Sequence, residues 1–162
     1  MAGLRIERDD PLRADVRALL AEHLTQLRAL SPPESVHALD AVALTGPALS
    51  FWTAREGGRL LGCGALARLT DDHAEIKSMR TTAAAHGRGV ATALLSRLLA
   101  ECRLHGVRRV SLETGAQPFF APAHRLYARH GFVECGPFGG YRPDPHSVFM
   151  TLALAPPTTE VP

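Results

Sequence analysis

Two stretches of this sequence combine residue types at spacings that suit chemistry. The first runs Glu75-Ile76-Lys77-Ser78-Met79-Arg80-Thr81 and continues to His86-Gly87-Arg88-Gly89-Val90-Ala91-Thr92. Glycines at 87 and 89 let the backbone come close to a ligand, and the unpaired amides of a helix start attract phosphate oxygens. Arg88 adds a fixed positive charge at the same place. The plain alternative is a loop followed by a capped helix. Glu75 and Lys77 share one strand face by alternation, so Lys77 is a salt-bridge partner for a carboxylate that otherwise could take up a proton. The second stretch is Ala123-His124-Arg125-Leu126-Tyr127. Tyr127 lies one helical turn after Ala123 and beside Leu126, which assigns its ring to the buried face. A phenol there is either a core tyrosine with a satisfied hydroxyl or a neutral proton donor.

Two nucleotide-binding patterns compete for the glycine loop. A P-loop needs Gly-Lys-[Ser/Thr], and Lys77, the single lysine among 18 cationic side chains, sits after Ile76 inside a strand. That pattern fails. A dinucleotide-binding GxGxxG fares little better, because Thr92 occupies the third glycine position and residues 81–86 separate strand from glycines where a tight turn is wanted.

The elements around these residues read as follows. A short strand holds Leu4 and Ile6. Asp10-Pro11 is a helix start, and Leu12, Val16, Leu19, Leu20, Leu24 and Leu27 recur at helical spacing through Leu30. Ser31-Pro32-Pro33 ends that helix, and 34–44 reads as a second, shorter one. Strands at 51–54 and 60–69 flank a Glu56-Gly57-Gly58 turn, and another strand covers 73–80. An amphipathic helix spans 90–105 and closes at Gly106. A strand at 107–113, a helix from Ala121-Pro122 to Gly131, a short strand at 132–135 and a last strand at 147–154 complete the chain. This order predicts an α/β domain with a mixed sheet, a hairpin meander in its middle and one strand–helix–strand crossover.

Composition narrows the class. The 162 residues are 46% hydrophobic and 21% charged, enough for one packed domain over 1–155 with a loose tail at 156–162. Eighteen Lys+Arg against 16 Asp+Glu leave a net charge of +2, and the arginines are spread along the chain, which argues against nucleic acid as a partner. Cys63, Cys102 and Cys135 have neither disulfide-framework nor zinc spacing, so no metal is expected. The charged N-terminus lacks an apolar signal segment, and the greasiest stretch, 90–104, is interrupted by Arg97, Glu101 and Arg103. No membrane association is expected, and the cytoplasm is the default.

The region 75–132 resembles the GNAT (GCN5-related) N-acetyltransferases. Their pyrophosphate loop is Gln/Arg-x-x-Gly-x-Gly/Ala, which His86-Gly87-Arg88-Gly89-Val90-Ala91 matches except at His86. Ala123-His124-Arg125-Leu126-Tyr127-Ala128-Arg129-His130-Gly131-Phe132 resembles their Ala-x-x-Leu-Tyr-x-x-x-Gly-Phe signature. The resemblance is tight in the second half of the chain and rests on element order in the first. It implies a single-domain GNAT-like fold, with a mostly antiparallel mixed sheet splayed at the cofactor site and flanked by helices. It implies acetyl-CoA as co-substrate, with Met79, Arg80 and Thr81 beside the pantetheine arm and the backbone from Gly87 through Thr92 at the pyrophosphate. Where His86 replaces Gln/Arg, Arg88 or Arg80 supplies the charge. Phe120 stands where many members have asparagine; it packs either on the cofactor arm or in the core.

By the same resemblance Tyr127 is the acid that protonates the departing thiolate, and Glu75 is the candidate base for the incoming amine, directly or through water. The acceptor is expected to be a small-molecule amine, met by the first helices and last loops: His37, Glu113, Phe119 and Tyr141. Members of the resembled subgroup are bacterial, and a homodimer through the last strand is compatible with the family. The competing reading is a catalytically silent acyl-CoA-binding or regulatory module, because His86 and Phe120 both depart from the pattern.

Overall fold

The structure, a computed structural model, describes residues 3–155, so the tail expected at 156–162 lies outside the described residues. Seven strands, β1 (Leu4–Arg8), β2 (Leu49–Glu56), β3 (Arg59–Arg68), β4 (His73–Thr81), β5 (Arg109–Gly115), β6 (Val133–Cys135) and β7 (Ser147–Ala153), form one sheet in the order β1-β2-β3-β4-β5-β7-β6. Three helices, α1 (Ala14–Leu30), α2 (Val90–Leu104) and α3 (Ala121–Arg129), flank it. β4 and β5 run parallel and are joined through α2; the other paired strands are antiparallel. The mixed sheet, the central meander and the crossover are as the sequence predicts.

Period-two alternation sorts the strand side chains onto two faces. Trp52, Leu66, Ile76, Val110, Leu112 and Met150 pack with Leu95, Leu98 and Leu99 of α2 and Leu126 of α3. On the opposite face Phe51, Cys63 and Ala65 meet Val16, Leu19 and Leu20 of α1. The turn between β2 and β3 needs left-handed backbone at both central positions, and Gly57 (φ 57°) and Gly58 (φ 80°) supply it.

Two departures from the sequence reading concern helix ends. Asp10-Pro11 forms a turn rather than the first turn of α1: Asp10 Oδ1 accepts from the Leu12 amide at 2.9 Å, and the helix begins at Ala14. The shorter helix at 34–44 does not form. Single 3-10 turns at Pro33–Ser35 and Ala43–Thr45 bracket an extended segment there. Prolines at 32 and 33 remove amide donors, and Asp40 Oδ1 takes the Ala43 amide at 2.8 Å, a local bond that competes with helix propagation.

The first helix is pinned to the sheet by a buried charge. Arg55 on β2, 6% exposed, reaches Asp9 Oδ2 at 3.0 Å, Asp15 at 2.6 and 3.0 Å, and the Gly58 carbonyl at 3.1 Å. Burial pushes the Asp9 carboxyl up, but bonds from Thr53, the Asp10 amide, Arg55 and Arg13 outweigh it and hold the pKa at about 2. A carboxyl depressed in the folded state contributes stability above its unfolded pKa and loses it as pH falls through the folded value. Arg55→Met is therefore expected to cost about 3–5 kcal/mol at neutral pH, because it takes the buried guanidinium from Asp9 and Asp15 at once. Chemical denaturation should show that penalty shrinking as pH falls from about 4 towards 2.

β4 changes character halfway. Ala65 lies opposite Lys77 and Cys63 opposite Arg80, so Gly64 alone faces both Ser78 and Met79: a one-residue bulge in β4. Ser78 takes the left-handed conformation there, φ 54°. The bulge reverses alternation beyond it. Met79 turns to the α2 face, its sulfur 2.6 Å from where a Cβ on Gly64 would stand, and Arg80 turns to the α1 face beside Glu75 and Lys77. On the other side, β4 and β5 pair only from His73↔Arg109 to Ile76↔Leu112. Past that point the strands part, and Lys77–Thr81 and Glu113–Gly115 face an opening.

Candidate active site

A cleft of about 560 Å³ occupies the opening between β4 and β5. Its floor is β4 from Glu75 to Thr81 and β5 from Glu113 to Gly115. Glu22, His23, Gln26 and Leu27 of α1 wall one side; Phe119, Phe120, Ala123 and Tyr127 wall another; His37, Tyr141 and His146 close the outer end. Eleven residues singled out from the sequence line it: Glu75, Met79, Arg80, Thr81, His86, Phe120, Tyr127, His37, Glu113, Phe119 and Tyr141. Gly87, Arg88 and Gly89 form the turn that leads into α2 and Val90, Ala91 and Thr92 its first turn, and none of the six is among the lining residues.

The glycine loop suits a phosphate-bearing cofactor. Gly87 and Gly89 have φ of 75° and 76°, and a Cβ at either would meet open space, so the constraint is on backbone conformation and the outer side is clear. α2 has no side-chain cap, and its first bond is Ala93 N to Gly89 O at 3.0 Å. The Val90, Ala91 and Thr92 amides therefore precede the hydrogen-bonded turns, with the positive end of the helix behind them. The Val90 side chain is buried in the core. Arg88 Nη2 donates to both Glu56 oxygens at 3.1 Å, which ties the loop to the β2–β3 turn.

Tyr127 reaches the cleft from the last turn of α3, a helix that Pro122 opens. Its ring packs edge-on against Phe132 at 5.6 Å, and burial pushes its phenol above the ordinary tyrosine pKa, so it is protonated at neutral pH. The Phe120 ring fills the space over Gly115: a Cβ there would stand 2.2 Å from it. Phe120 is buried and Phe119 half exposed, their rings edge-on at 5.1 Å.

The carboxylates differ sharply. Glu75, 5% exposed, has Oε2 occupied twice, by Lys77 Nζ at 3.2 Å and by a short bond from the Tyr141 hydroxyl. Lys77 also donates to that hydroxyl at 2.9 Å, closing a triangle. Burial first, then the Glu75 bond, pushes the Tyr141 phenol up. The ion pair with Lys77 foreseen from alternation is present; Tyr141, 66 residues away, was not foreseeable as its third member. Glu113 is less committed: among the described residues its one side-chain hydrogen bond comes from Ser147 Oγ at 3.3 Å. Burial pushes its carboxyl up to about 7, partly opposed by the Ser147 bond and the Lys77 charge. It sits at the parting of the strands, where a proton acceptor is useful at physiological pH.

A second hollow, about 490 Å³, lies outside the first, between Glu34, Arg142 and Asp144. Glu75, His37 and Tyr141 line both. His37 and Tyr141, in edge-on contact at 5.0 Å, stand between them.

Sequence reasoning did not single out Glu22, His23 and Gln26 of α1 or Ser78, all of which line the cleft. Positions 22, 23 and 26 read as the polar face of an amphipathic helix, and no pattern says which part of that face meets a cavity. Arg80 is displaced from its expected use. It bonds Glu22 at 2.7 Å and His23 Nδ1 at 3.5 Å, on the opposite sheet face from α2. Among the described residues no group of three or more His, Cys, Asp or Glu is placed to hold a metal, and no helix is long and apolar enough to cross a membrane.

Residues 16–132 match the model of the acetyltransferase (GNAT) family. The uncharacterized N-acetyltransferase YsnE of Bacillus subtilis is 47% identical over 151 residues, covering 93% of this chain and all of that protein. A protein of Azospirillum brasilense named IAA acetyltransferase is 39% identical over 155 residues, covering 95% of this chain and all of its own. Among solved structures, a provisionally described acyl-CoA N-acyltransferase of Klebsiella pneumoniae superposes with a TM-score of 0.76 at 27% identity, covering 94% of this chain and 98% of that one.

Proposed function

The chain belongs to the GNAT acetyltransferase family, and from that premise we propose that this acyltransferase moves the acetyl group of acetyl-CoA directly to the primary amine of a small molecule. The observation that carries this reading is the meeting, in one cleft, of the β4 strand end, the Tyr127 phenol and the Glu113 carboxyl.

Acetyl-CoA supplies a thioester, and the transfer makes one N–C bond, breaks one C–S bond and moves one proton from nitrogen and another to sulfur. The amides at the start of α2 and the freed backbone edge of β4 would hold the cofactor, with Met79, Thr81, His86 and Phe120 against it. Glu113 accepts the amine proton. It is ionised in useful proportion at neutral pH, and one donor bond leaves its oxygens free. Glu75, the base expected from the sequence, acts here through its partners: it fixes Tyr141 and Lys77, so that Tyr141 and His37 shape the acceptor's side of the cleft. Tyr127 gives its proton to the leaving sulfur. Its burial keeps it neutral and excludes bulk water from that proton's path.

The test is thiol release from acetyl-CoA by the purified protein, with and without a panel of small amines, beside calorimetry of acetyl-CoA binding. Release that needs an amine is the expected result. Tight, saturable acetyl-CoA binding with no amine-dependent release would instead establish the silent binding module.

A further inference from the structure

Arg80 is an unusual side chain for the wall of a cleft. Only 12% of it is exposed, yet its strongest partner, Glu22, is 56% exposed and sits at the rim. Among the described residues its Nε is buried without a hydrogen-bond partner, and so is Gln26 Oε1 one turn along α1 from Glu22; both residues line the cleft. Buried donors and acceptors are nearly always paired in native proteins, so two orphans on one wall signal a missing polar group. His23, next to Glu22 on α1, is held neutral: burial first, then the Arg80 charge, lowers its pKa to about 4. The Arg80 charge on that wall is thus paired with a carboxylate that solvent already screens.

The bulge at Ser78 is what sends Arg80 there. It puts Arg80 on the same face as Glu75, Lys77 and Glu113, away from the start of α2 where the phosphates of a cofactor belong. Glu113 follows Leu112, the partner of Ile76, and across the parting strands the Lys77 charge still acts on its carboxyl. Arg80 is three residues further along β4, about 7–10 Å at about 3.3 Å per residue less the bulge. Two long side chains reach into that gap from its ends, one able to take a proton from an amine and the other able to grip an anion.

We infer that the acceptor is a small amino acid, its carboxylate held by Arg80 with His23 and Gln26 while its amine lies at Glu113. The carboxylate takes the place of Glu22 on the guanidinium, whose planar fork matches it in two bonds. The neutral imidazole donates a third bond, and Gln26, turned about its last torsion, presents its NH₂. In the cleft Lys77 already holds Glu75 and Arg80 holds Glu22, which leaves Glu113 as the carboxylate free for an amine, whereas an amine and a carboxylate on one molecule satisfy both ends of the cleft.

This inference rests on the N-acetyltransferase reading, and the experiment separates the two. Acceptors are offered in pairs with saturating acetyl-CoA: each proteinogenic amino acid, β-alanine and γ-aminobutyrate, and the carboxamide of each, together with ethanolamine and spermidine. The best acid should exceed its own amide about 10–100-fold in kcat/KM, the worth of a charge-assisted pair of hydrogen bonds. Arg80→Gln should bring that ratio to within about threefold, Arg80→Lys should keep part of it, and CoA affinity by calorimetry should stay within about twofold in both. Glu22→Gln, which frees the guanidinium of its competing carboxylate, should lower KM for the acid more than for its amide. Acids and amides used equally well by the wild type would overturn the inference. So would an Arg80→Gln protein that loses CoA affinity with its acid preference intact, which would assign the guanidinium to the cofactor. If only ethanolamine or spermidine is acetylated, the amino-acid inference fails and the N-acetyltransferase reading stands; if no amine promotes thiol release, that reading fails and takes the inference with it.

Discussion

Tyr127→Phe should lower kcat by about 10²–10³ while leaving the calorimetric affinity for CoA within about twofold of wild type. The size of the loss follows from what is removed. Phenylalanine keeps the ring that packs on Phe132 and Leu126, so the cleft wall and the helix survive. Only the hydroxyl goes, and with it the proton offered to the leaving sulfur. Because burial raises the phenol's pKa, Tyr127 stays protonated across the working range and should add no alkaline limb below about pH 10. The rate lost should therefore be the same at pH 7 and pH 9. An unchanged kcat would remove Tyr127 from the chemistry and assign the proton of the leaving sulfur to another donor.

Glu113→Gln is expected to remove both rate and pH dependence. In the wild type, kcat/KM should rise about tenfold per pH unit below about 7 and level off above it, as the carboxyl ionises. The glutamine variant should be slower by about 10²-fold at pH 8, and the residual rate should lack that limb. Glu75→Gln should keep the limb at about pH 7, because it disturbs Tyr141 and Lys77 rather than the group that titrates. The same substitution at 113 has an opposite signature in stability. A carboxyl whose pKa is raised by folding contributes stability below its unfolded value, near 4.5, and loses it as pH rises through about 7. Glutamine carries no such loss. Glu113→Gln should thus melt higher than wild type at pH 8 and close to it at pH 4.5, a gain in stability at the expense of turnover. A wild-type profile flat from pH 5.5 to 8 would assign the proton to another acceptor.

Much of this site could be read along the chain because its parts are local. The glycines at 87 and 89, the helix they open, and Tyr127 four residues beyond Ala123 are all short-range patterns, and they sit where those patterns put them. The Glu75–Lys77 pair follows from alternation alone. What could not be read depends on segments distant in sequence. Tyr141 bonds Glu75 because residues 136–146 fold back over the β5 side of the sheet. The high pKa of Glu113 comes from burial, which no single-strand pattern reports. The expected helix at 34–44 failed for a local reason that was visible in part: Pro32, Pro33 and Asp40 all offer alternatives to helical bonding. Arg80 was legible as a cation near an anion site but not as one facing α1, since that depends on one residue's backbone.

That residue, Ser78, gives β4 two reading frames. Before it, odd-numbered positions look toward α1; after it, even-numbered ones do. Any comparison of this strand with a relative that lacks the bulge slips by one at position 78, pairing Arg80 with a residue that serves the other side of the sheet. Within the strand, the same shift uncouples neighbours: a change at Met79 is felt by α2 and the β3 glycine behind it, while a change at Arg80 is felt across the cleft. One out-of-phase residue thus lets adjacent positions vary for unrelated reasons, and a family built on this strand can alter what it accepts without disturbing how it holds together.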